Sequence, residues 1–272
     1  MSKRQCRNLH APLRRRSDPV GTPTGHEGPA MTNSSARDIV TALHAYDDLP
    51  PFPKVNIHFL ATAPGNERLL EFMTERPANP GQFKGKRIGI IATHGVEETE
   101  VSIPRKWLEA RGATCHLVSP RHIEYAAAFG IQFPEIAKTH VLAIQFTHNS
   151  GWIPVDAHIE AVSVDDYDAV YVPGGAWNPD QLRVNPGVLK FLQAFQRTGK
   201  PVGALCHGSQ VLLSARLLKG RRATGYWNIM EDLANAGADV VDEPVVVDEN
   251  VITSRFIYDI PQFVGAIVGQ IS

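Results

Sequence analysis

Short apolar runs alternate with amphipathic segments from residue 86 onward. The apolar runs have the length and flanking residues of buried strands and comprise Arg87–Ala92, Thr114–Val118, Asp168–Val172 and Pro201–Leu205. The amphipathic segments carry apolar residues at helical spacing and comprise Thr99–Arg111, Val188–Arg197, His207–Leu218, Trp227–Ala236 and Ile260–Ile271. Val245–Val247 and Val251–Thr253 flank an Asp-Glu-Asn turn and predict a β-hairpin. Strands that alternate with helices predict an α/β sandwich with a mostly parallel sheet.

The chain before residue 86 lacks this alternation. Residues 1–30 are rich in arginine, proline and glycine, which predicts a disordered basic tail. No apolar segment follows Arg14–Arg16, so no secretory signal is expected, and Met31 is a candidate start of translation. A short nucleic-acid-binding or targeting arm is the alternative for this tail. Residues 31–85 predict an accessory segment that packs on a main domain of residues 86–272. Its expected elements are a helix at Ser35–Ala45, a strand at Val55–Phe59, a helical turn or two at Glu67–Thr74 and a linker at Pro77–Gly81.

Composition and charge narrow the class of protein. Of 272 residues, 43% are hydrophobic and 20% are charged, which provides for a buried core and excludes global disorder. Lys and Arg number 27 against 28 Asp and Glu, so no surplus of cations favours nucleic acid as the main partner. No apolar stretch has the length of a membrane helix, and no membrane partner is expected. Cys6, Cys115 and Cys206 are too few for a disulfide framework and indicate a reducing compartment, the cytoplasm.

The segments that follow the predicted strands are the expected location of functional residues. In an open parallel sheet, ligands bind outside the carboxyl ends of the strands. Three segments have this position: His94–Glu100, Gly174–Asp180 and Cys206–Gly208. Their polar side chains therefore define the candidate site.

Cys206 is the strongest candidate among these residues. A residue at a tight turn from strand to helix projects its side chain above the sheet, as in a nucleophile elbow. The N–H groups at the helix N-terminus are expected to lower the pKa of its thiol. A buried, inert cysteine is the alternative. His207 pairs with the thiol only if the turn brings its ring beside the sulfur, and is otherwise a surface or capping histidine.

The acidic and glycine-rich segments offer further candidates. Glu97, Glu98 and Glu100 follow the first strand, and a carboxyl group beside a thiolate would share its proton and have a raised pKa. The alternative, expected for at least two of the three, is an acidic first turn of a helix. Gly174 and Gly175 can present backbone N–H groups as an oxyanion hole, or form a simple turn.

The sequence lacks the motifs that mark several other kinds of functional site. No dinucleotide-binding, P-loop or zincin motif is found, so no such cofactor is expected. His148, His158 and Glu160 are alternative metal ligands, but their spacing is irregular and no metal is predicted. No histidine follows His207, which excludes a class I glutamine amidotransferase, because that enzyme needs a histidine well downstream of its cysteine.

The residues around Cys206 resemble a known family. Lys200–Gln210 reads Lys-Pro-Val-Gly-Ala-Leu-Cys-His-Gly-Ser-Gln and is similar to the nucleophile region of the DJ-1/PfpI superfamily, most of all its PfpI-like branch. That branch has a Cys-His-Gly-Pro-Gln run, and Ser209 stands in place of the proline. Further matching segments are Leu218–Arg222, Asp168–Gly175, Asn235–Ala238, Val245–Asp248 and Thr253–Arg255. The resemblance covers about Lys86 to Ile271 and implies a three-layer fold, flavodoxin-like or class I glutamine amidotransferase-like.

The resemblance implies catalytic roles for particular residues. Cys206 corresponds to the nucleophile and His207 to the catalytic histidine. The acidic partner of the family precedes a proline by four positions, as Glu100 precedes Pro104, so Glu100 is the carboxyl group implied to share a proton with the thiol.

Two further roles follow from the same resemblance. Gly175 corresponds to the oxyanion-hole glycine, together with the backbone N–H of His207. Asp180 matches the acidic residue that orients the histidine in the PfpI branch, often across a subunit interface, although its loop is one residue longer than in the PfpI protease. The family pattern therefore implies a homo-oligomer.

The function implied by the resemblance is a class of chemistry. Members are described as proteases, glyoxalases, deglycases, isonitrile hydratases, chaperones and oxidation sensors, and a fold does not select among them. We expect a cofactor-free cysteine enzyme that acts on reactive carbonyls or their adducts, or on peptides. The alternatives are a non-enzymatic redox-sensing or chaperone-like stress protein, and a binding module whose pocket is reshaped or blocked by Phe256–Tyr258. Trp177 and Trp227 are candidate pocket residues or core aromatics.

Overall fold

A seven-stranded sheet with helices on both faces forms the centre of the structure. The computed structural model describes residues 57–121 and 139–271, without the side chains of His58 and Phe59. The strands are β1 (Arg87–Ile91), β2 (Val96–Glu97), β3 (Thr114–Ser119), β4 (His140–Gln145), β5 (His148–Pro154), β6 (Ala157–His158), β7 (Ala169–Val172), β8 (Val202–Leu205), β9 (Arg222–Ala223), β10 (Asp239–Val240), β11 (Val245–Asp248) and β12 (Val251–Ser254). The helices are α1 (Ile57–Thr62), α2 (Glu67–Thr74), α3 (Glu98–Glu109), α4 (Asn178–Leu182), α5 (Pro186–Gln196), α6 (Ser209–Ser214), α7 (Met230–Asn235) and α8 (Ile260–Ile271).

The strand order of the main sheet is β11-β12-β8-β7-β1-β3-β6. All neighbours pair in parallel except β11 and β12, which form the predicted hairpin with Val245 opposite Ser254. The chain passes from β1 to β3 on one side, and later continues from β7 to β8 on the other side. The order therefore reverses at β1, and a crevice forms outside the carboxyl ends of β1 and β7.

The central strands β1, β7 and β8 are mostly apolar because helices cover both faces of the sheet. Ile88 and Ile90 of β1 belong to one core cluster with the buried residues of α3 and α8, whereas Ile91 belongs to a second cluster with those of α5 and α6. Successive side chains of a strand point to opposite faces, so the two clusters lie on opposite sides of the sheet. The predicted three-layer α/β sandwich with a mostly parallel sheet is confirmed.

Most predicted elements of the main domain appear within a few residues of their expected bounds, and two of them, together with one element of the accessory segment, differ. The segment predicted as one helix, His207–Leu218, is a 3-10 turn followed by α6, which ends at Ser214. Trp227–Ala236 likewise begins with a 3-10 turn before α7. The predicted strand Val55–Phe59 is wrong where it is described, since α1 begins at Ile57. The predicted tail of residues 1–30 and the helix Ser35–Ala45 lie outside the described residues.

The analysis of the sequence missed the antiparallel pair β4–β5. Strand β4 also pairs with β2, with Val96 opposite Ala143, in a separate three-stranded sheet. The segment contains His148, which the sequence offered only as an alternative metal ligand, and no hairpin was predicted there. In the described part of the chain, no group of three side chains is arranged to hold a metal ion.

The helices α1 and α2 pack beside α3. The Phe72 ring stacks on Trp107 with centroids 4.9 Å apart, and the Arg111 guanidinium lies 3.6 Å from the Trp107 ring centroid. Arg111 also forms an ion pair with Glu75, whose carboxylate accepts a hydrogen bond from the Trp107 indole at 2.7 Å. No helix in the described ranges combines the length and apolar character needed to cross a membrane.

A glycine in β8 lets α8 approach the sheet. A Cβ at Gly203 would lie 2.7 Å from Cζ of Phe263 and 2.9 Å from Cβ of Tyr171. We expect Gly203→Ala to lower the free energy of unfolding by about 1–3 kcal/mol, because the buried methyl group has no space. Urea unfolding followed by circular dichroism measures this difference.

The matched control for that prediction is Gly265→Ala in the exposed part of α8. A Cβ at Gly265 meets no atom within 4 Å. Alanine is the better helix former, so this change should raise stability by up to about 1 kcal/mol. Equal effects of the two substitutions would contradict the close packing of α8 on β8.

Candidate active site

Three loops meet at the carboxyl edge of the sheet, beside the reversal of strand order. They follow β1, β7 and β8, which are neighbours in the order β8-β7-β1. The N-terminal part of α3 supplies the acidic side chains, the loop after β7 supplies the glycines, and the turn after β8 supplies the thiol. All three segments were predicted from their position after strands, and the structure brings them together.

Cys206 adopts a backbone conformation that is rare for a residue with a side chain. Its φ is +59°, and it begins a 3-10 turn at the end of β8. This left-handed conformation is strained and turns the thiol away from the strand direction, as in a nucleophile elbow. The side chain is only 5% exposed, and its Sγ lies 3.4 Å from Nδ1 of His207. The predicted Cys-His pair is therefore present in the geometry.

Glu100 is fully buried on the first turns of α3 and reaches the loop after β7. Its Oε2 accepts a 2.6 Å hydrogen bond from the backbone N–H of Gly174, while Oε1 has no hydrogen-bond partner in this structure. Burial, together with the nearby charge of Glu97, raises the pKa of Glu100 to about 8. Glu100 therefore keeps its proton at neutral pH. The upward shift of its pKa is the one expected from the sequence.

Burial shifts the pKa values of both the Cys206 thiol and the His207 imidazole. Burial and the charge of Glu100 raise the pKa of Cys206, and the backbone N–H of His207 only partly opposes this. The expectation that the turn lowers the thiol pKa is wrong, because desolvation of the thiolate outweighs the N–H groups. Burial also lowers the pKa of His207, so its ring is neutral and able to accept the thiol proton.

Gly175 lines the site where a side chain has no room. Its φ is +91°, and a Cβ there would lie 2.6 Å from the backbone N of Glu97. The position predicted for an oxyanion-hole glycine is thus adjacent to the cavity. Ser209, which replaces the family's proline, is the first residue of α6, and its hydroxyl donates to the Thr224 carbonyl at 3.1 Å. Proline also suits the first position of a helix, so the elbow accommodates either residue.

Asp180 lies near the site without contacting the histidine. It is exposed at the start of α4, and no hydrogen bond joins it to His207 within the chain. Its negative charge nevertheless raises the pKa of His207, against the effect of burial. Asn178, in the same helix, is fully buried, accepts from the Thr93 N–H at 2.7 Å and donates to the Pro173 carbonyl at 2.7 Å. Asn178 therefore ties the loops after β1 and β7 together.

Glu97, one of the three candidate glutamates, is a second acidic residue of the site in addition to Glu100. It is 5% exposed, accepts hydrogen bonds from the Thr99 hydroxyl and the Phe146 N–H at 2.9 Å each, and lines the same cavity as Cys206. Burial raises its pKa to about 7. Glu98 and Glu100 lie in the acidic first turn of α3, as expected for at least two of the three glutamates, but Glu100 and Glu97 also line the cavity, so a place in the turn does not exclude a place in the site. The contact from Phe146, in the unpredicted β4–β5 turn, is what buries Glu97.

The cavity beside Cys206 has a volume of about 210 Å³. Its polar end is formed by Glu97, Glu100, Gly175 and His207, and its apolar walls include Phe146, Tyr226, Phe256 and Ile257. The bulky segment Phe256–Tyr258 therefore shapes the pocket and leaves space beside the sulfur. Trp177 and Trp227 do not line this cavity and are 52% and 42% exposed.

The charge of Glu97 should control the reactivity of the thiol. We expect Glu97→Gln to move the pH of half-maximal Cys206 alkylation by iodoacetamide downward by about half a unit to one unit, because removing a nearby negative charge favours the thiolate. The rates of the variant and the wild type should converge well below pH 7, where Glu97 is protonated. Peptide mass spectrometry resolves Cys206 from the other cysteines.

Glu98→Gln is the control for this effect. The Glu98 carboxylate accepts from the Gln145 amide at 3.2 Å and does not line the cavity. The pH dependence of Cys206 alkylation in Glu98→Gln should match that of the wild type. An unchanged profile for Glu97→Gln, or one displaced to higher pH, would contradict the electrostatic coupling.

Comparison with known proteins agrees with this arrangement. The sequence pattern of the DJ-1/PfpI family matches residues 86–270. General stress protein 18 of Bacillus subtilis is 38% identical over 180 residues, which are 66% of this chain and 94% of that protein. An uncharacterised protein of Staphylococcus aureus is 35% identical over 188 residues, which are 68% of this chain and 98% of that protein.

Solved structures show the same fold. A two-domain protein from Anabaena variabilis with DJ-1/ThiJ/PfpI-like and ferritin-like domains is 34% identical, with a TM-score of 0.57 over 68% of this chain and 47% of that one. Drosophila melanogaster DJ-1beta is 24% identical, with a TM-score of 0.57 over 68% of this chain and 90% of that one, and supports the fold alone. Since the family pattern spans the whole sheet and all three loops of the site, the chain belongs to the DJ-1/PfpI family.

Proposed function

We propose that this protein is a cofactor-free cysteine enzyme that converts reactive carbonyl compounds, in the first place α-oxoaldehydes, and acts on their adducts with amines. The observation that carries the proposal is the Cys206 Sγ, 3.4 Å from a neutral His207 and facing a cavity that also contains Glu100. A thiol at a strained turn beside a proton acceptor is the arrangement that nucleophilic catalysis requires.

The chemistry balances without an oxidant or a reductant. His207 takes the thiol proton, and the sulfur adds to the aldehyde carbon, whose oxygen then receives that proton. The protonated Glu100 carboxyl group gives its proton to the ketone oxygen and takes the proton of the aldehyde carbon, which leaves an enediol. Glu100 then gives this proton to the former ketone carbon and takes the hydroxyl proton from the former aldehyde carbon, so it ends in its starting form. The aldehyde carbon is thereby oxidised to a thioester while the ketone carbon is reduced to an alcohol. Water then hydrolyses the thioester to a 2-hydroxy acid and frees Cys206.

Backbone groups stabilise the charge that develops on the substrate oxygen. We assign this role to Gly175 and to the backbone N–H of His207, at the polar end of the cavity. A peptidase using the same thiol is the lower-ranked form of the proposal, because a cavity of about 210 Å³ suits a small molecule better than an extended chain.

The proposal includes an oligomeric enzyme in the cytoplasm. Asp180 is exposed and does not hydrogen-bond His207 within one chain, so an acidic residue that orients the imidazole must come closer through assembly or movement of its loop. A homo-oligomer that packs the α4 segment against a second copy provides this. A reducing compartment keeps Cys206 as a free thiol.

Redox sensing is the second candidate function. A relative 38% identical to this chain is named a general stress protein. A Glu100 carboxyl group that keeps its proton beside the sulfur can donate a hydrogen bond to an oxidised cysteine. In this alternative, peroxide converts Cys206 to the sulfinic acid and no carbonyl turnover occurs.

Removing the thiol tests the enzyme proposal directly. Purified wild type should convert methylglyoxal to lactate, and Cys206→Ala should reduce the rate at least a hundredfold, because no nucleophile remains. Chromatographic quantification of lactate in thiol-free buffer measures the reaction. Cys115→Ala is the matched control, since this buried thiol, whose pKa is raised to about 12, does not line the cavity and should leave turnover intact.

Two outcomes would decide against the proposal. Full activity in Cys206→Ala removes the thiol from the mechanism. Absence of turnover in the wild type, together with a gain of two oxygen atoms confined to Cys206 after mild peroxide treatment, favours the sensor instead.

The proposed role of Asp180 in orienting His207 is tested by a separate measurement, the pH dependence of kcat/KM. We expect Asp180→Asn to lower kcat about tenfold and to move the acid limb of the kcat/KM profile to lower pH, because the carboxylate raises the pKa of His207. Asp165→Asn, at an exposed position away from the site, should change neither quantity. An altered rate with an unmoved acid limb would mean that Asp180 acts only through structure.

A further inference from the structure

The apolar wall of the active-site cavity is made of aromatic rings in mutual contact. The centroids of Phe146 and Phe256 are 5.8 Å apart, and those of Tyr226 and Phe256 are 5.7 Å apart. Tyr226 also stacks on the His207 imidazole, with centroids 4.5 Å apart and planes inclined by 27°. We call Phe146, Tyr226 and Phe256 the aromatic wall. They come from the β4–β5 turn, the segment before α7 and the loop after β12, and they meet only in the folded chain.

The aromatic wall is held in place from behind. Tyr258 lies edge-on to Phe256 with centroids 4.9 Å apart, and Trp227 lies 5.9 Å from it. The Trp227 indole is fixed by a 3.2 Å hydrogen bond to Asp242. Neither of these supporting rings lines the cavity. A preorganised apolar wall costs little further ordering when a ligand binds.

The two ends of the cavity differ in chemistry. Carboxyl and backbone groups surround the sulfur, whereas the opposite wall offers ring faces and edges and the side chain of Ile257. A volume of about 210 Å³ is below the roughly 300–1,000 Å³ of pockets for drug-sized ligands. A small ligand with one ring and a short carbonyl-containing substituent matches the two ends of the cavity, because its ring contacts the aromatic wall and its carbonyl group lies beside the sulfur. Methylglyoxal presents only a methyl group to the aromatic wall.

We propose that the site selects α-oxoaldehydes with an aromatic substituent, of the phenylglyoxal class, and that Phe146, Tyr226 and Phe256 hold the substituent ring while the oxoaldehyde reaches Cys206. This inference rests on the proposed function for its chemistry and on the aromatic wall for its specificity. Aromatic rings gain from offset-stacked and edge-to-face contacts in addition to burial, and an aliphatic chain of equal area lacks these contacts.

Turnover gives the first test. Initial rates should be measured with phenylglyoxal and methylglyoxal as formation of mandelate and lactate, because both oxoaldehydes also react with arginine. We expect kcat/KM for phenylglyoxal to be at least tenfold higher. Phe256→Leu should lower the ratio of the two constants at least fivefold. Phe191→Leu, in the core cluster on the other face of the sheet, should leave the ratio unchanged.

Alkylation gives a second test that does not depend on turnover. In 2-chloroacetophenone and chloroacetone, the Cys206 sulfur forms a bond to the CH₂ carbon, the C–Cl bond breaks, chloride leaves and the thiol proton passes to His207. The two rates at Cys206, each divided by the rate with glutathione, report the preference for a ring. We expect this ratio to favour 2-chloroacetophenone at least tenfold, and Phe256→Leu and Phe146→Leu to reduce it.

The outcomes separate this inference from the proposed function. An alkylation ratio equal to that of glutathione, or one unaffected by both leucine variants, overturns the aromatic specificity. Turnover of methylglyoxal with no preference for phenylglyoxal overturns it too, and leaves the proposed function standing. A raised ratio that falls in the leucine variants, without turnover of either oxoaldehyde, supports the aromatic pocket and removes the oxoaldehyde chemistry.

Discussion

The hydrogen bond from the Gly174 backbone to the buried Glu100 carboxyl group is the contact around which the site is built. At 2.6 Å it joins the loop after β7 to the first turns of α3, at the edge where the strand order reverses. A buried carboxyl group needs such a partner, because desolvation otherwise makes its position costly. With Glu100 fixed, the strained turn at Cys206 has a polar neighbour, and the loops after β1, β7 and β8 share one cavity.

Burial then sets the protonation of the whole site. Glu97 and Glu100 have pKa values raised to about 7 and about 8, the pKa of the Cys206 thiol is raised, and the pKa of His207 is lowered. Every shift favours the neutral form of its group, as expected where desolvation is the largest cause. The resting site therefore holds protons, and in the proposed reaction the Cys206 thiol gives its proton to His207. Neutral groups that can give and take protons suit the proposed reaction, in which hydrogen moves between two carbons of one substrate.

The apolar wall of the cavity comes from parts of the chain outside the three loops that follow β1, β7 and β8. The β4–β5 turn places Phe146 over the cavity and buries Glu97 at the same time, through a 2.9 Å hydrogen bond from its backbone. The loop after β12 adds Phe256, which Tyr258 supports from behind. The elements that hold the reacting groups are thus strands and helix starts, whereas the wall that contacts the remainder of a ligand comes from turns. A change in those turns alters the pocket without disturbing the elbow at Cys206.

The sequence by itself determined the layer architecture and the strand-end segments that hold Cys206, His207 and the candidate glutamates and glycines, because apolar runs, helical spacing and strand-end positions are local properties of the chain. The choice of Glu100 and Gly175 within those segments came from the resemblance to the family. The sequence did not reveal the hairpin β4–β5, in which Val141–Ile144 is a continuous apolar run without alternation and β5 begins with the polar residues His148–Ser150. It also gave the wrong direction for the thiol pKa and did not show which of the glutamates beside Glu100 lines the cavity. Only the tertiary structure decided these points, because desolvation depends on which distant segments cover a group. Phe146 covers Glu97 from a turn far along the chain, and Phe256 closes the cavity from farther still.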